Sequence, residues 1–139
     1  QEAVRIPSMS GQEKQVAELM KHTMTSYGFD EVNIDKYGSV LGMIHGSRPG
    51  RTILMDGHID TVDVIDRDQW THDPFAAEIE DGKIYGRGTS DMKGSVCAMI
   101  TAAAQYAEDT GKDYGRTVIL NSETGEVTVK SVRYGIYVI

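Results

Sequence analysis

Thr52-Ile53-Leu54-Met55-Asp56-Gly57-His58-Ile59-Asp60-Thr61 is the stretch whose reading decides the fold. Its hydrophobic opening is too short for a helix and ends abruptly at Asp56-Gly57. It therefore reads as a buried strand that delivers polar groups at its carboxyl end. Residues i and i+2 of an extended chain project to the same side, so His58 and Asp60 can act together. An imidazole binds a metal through one ring nitrogen while a carboxylate fixes the ring by accepting a hydrogen bond from the other. Asp60 suits that orienting role, although a His-x-Asp pair taken alone is more often a structural or surface pair.

Upstream, Ser10-Gly11-Gln12-Glu13 has the spacing of a capping box. Val16, Leu19 and Met20 follow at helical intervals, which predicts a helix over residues 10–26 that closes at Tyr27-Gly28. Residues 31–35 and 40–44 alternate and are joined through Gly38, as in a β-hairpin. Downstream, residues 61–76 form a polar, acidic loop that holds the single tryptophan, Trp70, and Pro74. Residues 77–80 and 83–85 flank Asp81-Gly82, a hairpin turn signal. From Met92 to about Glu108, the apolar residues Val96, Met99, Ile100, Ala103 and Tyr106 share one stripe, which predicts a second helix packed on the sheet. Thr117 to Asn121 reads as another buried strand, and residues 127–139 suggest one or two more. The order strand, helix, strand points to α/β architecture with a mixed sheet packed by helices. No repeat, low-complexity tract or linker marks a second domain.

The 139 residues carry 14 basic and 21 acidic side chains, a formal charge of −7, with 40% hydrophobic residues. One soluble domain with a real core fits this composition. The negative balance argues against nucleic acid, whose binding relies on Lys and Arg neutralising phosphates. The single cysteine, Cys97, excludes an internal disulfide framework and fits a reducing, cytoplasmic setting. Residues 96–104 are the longest apolar stretch, about half of the ~20 residues needed to cross a bilayer, so no membrane partner is expected. The first residues show neither an initiator methionine nor a secretory signal, and the chain is read as a processed or partial product.

Gly86-Arg87-Gly88-Thr89-Ser90-Asp91-Met92-Lys93-Gly94 is the second stretch with chemical content. Its glycines permit a tight turn into the following helix, and Asp91 stands where that helix begins. Asp91 as a plain helix cap is an equal reading, since Asp is favoured there. Two nucleotide-binding patterns fail: the third glycine is missing after Gly88, and Lys93-Gly94-Ser95 inverts the P-loop order. His58 with Asp91 would supply one nitrogen and one carboxylate oxygen, a donor set compatible with zinc, cobalt or manganese. Two ions bridged by a carboxylate can activate water for hydrolysis. His22 and His45 carry weaker signals, and His72 is a candidate for substrate contact. Cys97 reads as packing. Asp60, Asp63, Asp66 and Asp68 lack the glycine and terminal Glu of a calcium loop.

Three segments in order, residues 54–62, 70–75 and 81–94, together resemble the zinc-dependent aminoacylase, acetylornithine deacetylase, succinyl-diaminopimelate desuccinylase and glutamate carboxypeptidase family. Ile6-Pro7-Ser8 with Ser10-Gly11-Gln12-Glu13 is similar to the start of that family's first helix, and the loop wording is most like its selenium-metabolism-linked hydrolase branch. The likeness covers about residues 4–123, and residues 127–139 show none. It implies one partial catalytic domain, two zinc ions with cobalt or manganese as substitutes, and hydrolysis of an amide bond in a peptide or N-acyl amino acid by metal-activated water. It further implies that His58 ligates one metal, Asp91 bridges two, Asp60 orients His58, and the Asp91–Met92 peptide is cis. The family places two adjacent glutamates, general base and metal ligand, at the end of the next core strand. Here that strand continues as Glu123-Thr124-Gly125, with one glutamate for two roles.

The single glutamate supports a rival reading, a non-catalytic α/β fragment or assembly domain with weak metal binding or none. Strands belonging to a larger sheet can leave apolar surface and an unpaired edge, from which self-association is expected.

Overall fold

The computed structural model describes residues 1–115, 117–122 and 136–137. A short helix α1 (Glu2–Arg5) precedes helix α2 (Lys14–Ser26). Strands β1 (Glu31–Ile34) and β2 (Val40–Ile44) form the expected antiparallel hairpin, with Glu31 opposite Met43. Strand β3 (Ile53–His58) follows, then a single 3-10 turn at Arg67–Gln69 within the acidic loop. Strands β4 (Glu78–Glu80) and β5 (Lys83–Tyr85) pair around Asp81 and Gly82, both at positive φ, 48° and 74°, as a tight primed turn requires. Helix α3 (Lys93–Asp109) leads to β6 (Thr117–Ser122), and Ile136–Tyr137 form β7. The remainder of the 127–139 tail lies outside the described residues.

The main sheet runs β1-β2-β6-β3-β7. Its β1/β2 and β2/β6 pairs are antiparallel, and β3 is parallel to both β6 and β7, so the sheet is mixed as expected. The parallel register sets His58 beside Ser122, which brings the carboxyl ends of β3 and β6 to one rim. Helices α2 and α3 bury one common core, with Val16, Met20 and Met24 from α2, Val40 and Ile44 from β2, and Val96, Ile100 and Ala103 from α3. Gly57 is what lets α3 lie close on β3. A methyl group there would sit 2.8 Å from Met92 Cε and 2.9 Å from Val96 Cγ2.

Three expectations change. The first long helix begins at Lys14, not residue 10, because the Ser10 hydroxyl donates to Asp60 Oδ2 at 2.7 Å and does not cap. Glu13 accepts from Gly11 N–H at 2.7 Å, two residues back, so the reciprocal pair of a capping box does not form with Ser10. On α3, Tyr106 is exposed and Ala107 takes its place in the core, because the stripe drifts around the helix along its length. In β3 only Leu54 and Gly57 are buried, and Ile53 is 47% exposed, so this strand is half-covered among the described residues.

Lys93, at the start of α3, is completely buried. Its ammonium donates to Ala3 O at 2.9 Å and Ile6 O at 2.6 Å, carbonyls at the end of α1 that the short helix leaves unpaired. Burial outweighs these acceptors and lowers its pKa to about 8.

Two outcomes follow for stability. Gly57→Ala is expected to cost about 1–3 kcal/mol in urea unfolding, because Val96 cannot swing aside as a methionine tip can. For Lys93, the unfolded chain keeps its proton to about pH 10.5 while the folded chain releases it near 8. Between those values the unfolded state binds more protons, so stability rises with pH. Measured against a Lys93→Met variant, the chain gains about 2 kcal/mol between pH 8 and 10. A constant difference across that range would refute the assignment.

Candidate metal centre

His58 is the last residue of β3, and its side chain stands at the rim where β3 and β6 end. The chain then turns through Ile59, which is fully buried, so that Asp60 returns to the same side as His58. His58 Nδ1 lies 2.9 Å from Asp60 Oδ1 and 3.1 Å from the Asp60 carbonyl oxygen. That nitrogen therefore carries the proton and donates it to Asp60, leaving Nε2 to face outward. Ser10 completes the arrangement by donating to the other Asp60 oxygen.

Asp91 arrives from the loop between β5 and α3, with a cis peptide joining it to Met92. Its Oδ1 lies 2.9 Å from His58 Nε2. The helix-cap reading of Asp91 does not hold: Met92 occupies the cap position and no side chain caps α3. Asp91 is 88% exposed and so free to meet a ligand, whereas Asp60 is 20% exposed and committed to the ring. Both aspartates and His58 line an open cavity of about 290 Å³ together with Arg87, Thr89 and Ser90. Burial works against a protonated His58, but the hydrogen bond to Asp91 and the contacts with Asp60 outweigh it. The imidazole pKa is held above its ordinary value.

The donors suit a divalent cation in part. Two ligands about 2.0–2.1 Å from a tetrahedral zinc stand a little over 3 Å apart, so His58 Nε2 and Asp91 Oδ1 need only a small displacement to admit one between them. Among the described residues no group of three His, Cys, Asp or Glu side chains is arranged to hold a metal ion, so further ligands would come from elsewhere. Glu123, expected as general base or metal ligand, lies outside the described residues, and Ser122 just before it is the residue paired with His58.

The other histidines do not line this cavity. His72 Nδ1 is 2.8 Å from Glu78 Oε2, and its ring stacks on Tyr85 at 4.0 Å, which ties the acidic loop to the β4–β5 hairpin. His45 pairs with Glu31 at 2.5 Å, and His22 is exposed on α2. Sequence reading gave Ser10 no part in the site, because its partner is 50 positions away and only the folded chain joins them.

The sequence model of the peptidase family M20/M25/M40 matches residues 54–131, more than half of the chain. The chain belongs to this family. A succinyl-diaminopimelate desuccinylase of Cereibacter sphaeroides is 37% identical over 129 residues, covering 90% of this chain and 34% of that protein. The M20 family metallo-carboxypeptidase Sso-CP2 of Sulfolobus solfataricus superposes with a TM-score of 0.78 at 27% identity, over 88% of this chain and 29% of that one. The Bacillus subtilis YXEP protein, described as a dinuclear metal binding peptidase from the M20 family, shares the fold with a TM-score of 0.61 at 19% identity, over 85% of this chain and 31% of that one. This M20 chain thus spans about a third of the length of the relatives it matches.

In the metal-free chain, a ¹⁵N NMR titration is expected to place the His58 midpoint above 6.5, and Asp91→Asn is expected to lower it. Since a metal needs the Nε2 lone pair, zinc affinity should rise with pH through that midpoint. A midpoint unmoved by the substitution would show that the two side chains do not meet in solution.

Proposed function

We propose that this chain is part of the catalytic domain of a metal-dependent hydrolase that cleaves an amide bond in a peptide or N-acyl amino acid. The observation that carries the reading is an imidazole whose Nδ1 is committed to Asp60 while Nε2 meets the exposed carboxylate of Asp91. His58 would supply a nitrogen ligand, and Asp91 the carboxylate that bridges two ions. Asp60, with Ser10 behind it, keeps the ring in the tautomer that presents its lone pair outward. A divalent cation at this place supplies Lewis acidity, polarising the amide carbonyl and making water nucleophilic at neutral pH. Zinc is the ion proposed, with cobalt or manganese as substitutes. Glu123, one residue beyond β6, is proposed as general base or further ligand, to move the proton between water and leaving nitrogen.

The printed descriptions of a desuccinylase and of a dinuclear metal binding peptidase support both the substrate class and the use of two ions. A free Cys97 accords with the cytoplasm. Self-association is proposed as well, since Ile53, Val62 and Ile65 leave large apolar side chains in water.

Calorimetry with zinc tests the reading. The chain should take up zinc, His58→Ala and Asp91→Ala should each remove that uptake, and Asp60→Asn should weaken it about 10–100-fold. Zinc uptake that His58→Ala leaves unchanged would favour the non-catalytic alternative. Turnover of N-acyl amino acids with added zinc or cobalt tests the hydrolytic step. With one glutamate available for two roles, turnover is expected to be about 10²–10⁴-fold below that of an enzyme with both.

A further inference from the structure

The carboxylate of Asp91 is 88% exposed, and among the described residues its one hydrogen-bond partner is His58 itself. Asp60, by contrast, is held from behind by Ser10. Whatever keeps Asp91 in range of His58 must therefore act through its backbone. On the upstream side Ser90 is exposed, and the last anchored side chain is that of Thr89, whose hydroxyl donates to Gly86 O at 2.9 Å within the same loop. On the downstream side Met92 packs against the core. Its carbonyl accepts from Val96 N–H at 3.0 Å and so opens the bonding of α3. Its terminal methyl lies against Gly57, where an added side chain would meet Met92 Cε at 2.8 Å. Met92 thus follows Asp91 in the chain and touches the residue that precedes His58.

We propose that Met92 is a positioning residue that sets the spacing between His58 and Asp91. This rests on the reading of that pair as metal ligands. The path from His58 through Gly57, Met92 and Asp91 back to His58 is closed by two non-covalent contacts, the packing of Met92 on Gly57 and the bond between Nε2 and Oδ1. A cation entering between the two donors takes the place of the second contact, and the first then remains to fix the gap. Ligating side chains hold their geometry only when the residues that carry them are locked by packing. A thioether suits the task, because methionine is unbranched and polarisable and fills an irregular gap while yielding to the small displacement that admits an ion. Met99 offers an internal comparison. Its Cε would stand 3.0 Å from the same added side chain on Gly57, but it lies about two turns further along α3 and is not joined to Asp91. Truncating Met99 softens the same wall without loosening the carboxylate.

Zinc calorimetry on the full 139-residue chain separates the two methionines. Met92→Ala should weaken zinc uptake about tenfold, as loss of a support behind a ligand does. Met92→Leu, which keeps the volume, should stay within about twofold of the parent chain. Met99→Ala should also stay within about twofold, although its truncation lowers stability in urea as that of Met92 does. In excess chelator and at one fixed pH, the His58 ring resonances of Met92→Ala should move toward those of Asp91→Asn, while those of Met92→Leu and Met99→Ala stay in place. Far-UV circular dichroism checks the fold of each variant, and Met92→Val, a smaller truncation, takes the place of Met92→Ala should the latter not fold. Full zinc affinity in the truncated Met92 variant, an equal loss in Met99→Ala, or an unrescued loss in Met92→Leu would each overturn the proposal. Zinc uptake absent from the parent chain would instead refute the metal reading, and the ring resonances measured without metal would still decide whether Met92 holds Asp91 in place.

Discussion

The His58 imidazole is held on both ring nitrogens by carboxylates, Asp60 from the end of its own strand and Asp91 from a loop 33 residues further along. The rest of the molecule is organised so that these three groups meet. Strand β3 carries His58 to the rim, and β6 lies parallel beside it to end at the same level. The loop bearing Asp91 is fixed at its far end by Lys93, whose buried ammonium is tied to α1. Gly57, one residue before His58, removes the side chain that would push α3 away from the strand. A weakness in any of these would be felt as a change in the distance between one nitrogen and one oxygen.

Such a site costs stability. A lysine taken out of water without a neighbouring carboxylate, and carboxylates clustered around an imidazole, are both arrangements that an apolar core would avoid. Lys93 shows the cost in its depressed pKa. Its benefit is geometrical: three donors on one atom satisfy carbonyls that a four-residue helix cannot pair internally and hold α1 against the start of α3.

Much of this was legible in the order of residues. Short alternating segments, a hairpin at Asp81-Gly82 and a long apolar stripe from residue 96 gave the elements in the right sequence, because period and turn chemistry act locally. The partnership of His58 and Asp60 was legible too, since two positions along an extended chain return to one side. What could not be read is what depends on distant pairing. Ser10 looked like a helix cap, and in isolation it could be one. Its hydroxyl instead serves Asp60, across 50 residues, and the helix starts later for that reason. Asp91 has two local readings of equal merit; the helix starts one residue later, with Met92 at its cap, and His58 rather than the helix end is the partner of the carboxylate.

The N-terminal segment is stitched to both walls of the site. Ser8 donates its hydroxyl to Ile59 O, and its own carbonyl accepts from Thr61 N–H; Met9 bridges to Thr61; Ala3 and Ile6 receive Lys93. The contacts to Ile59 and Thr61 cannot form until the chain has been made past residue 61, and those to Lys93 until it has been made past residue 93. During synthesis on the ribosome, residues 3–9 must wait for ground that emerges long after them, and the pocket stays unlatched until they find it.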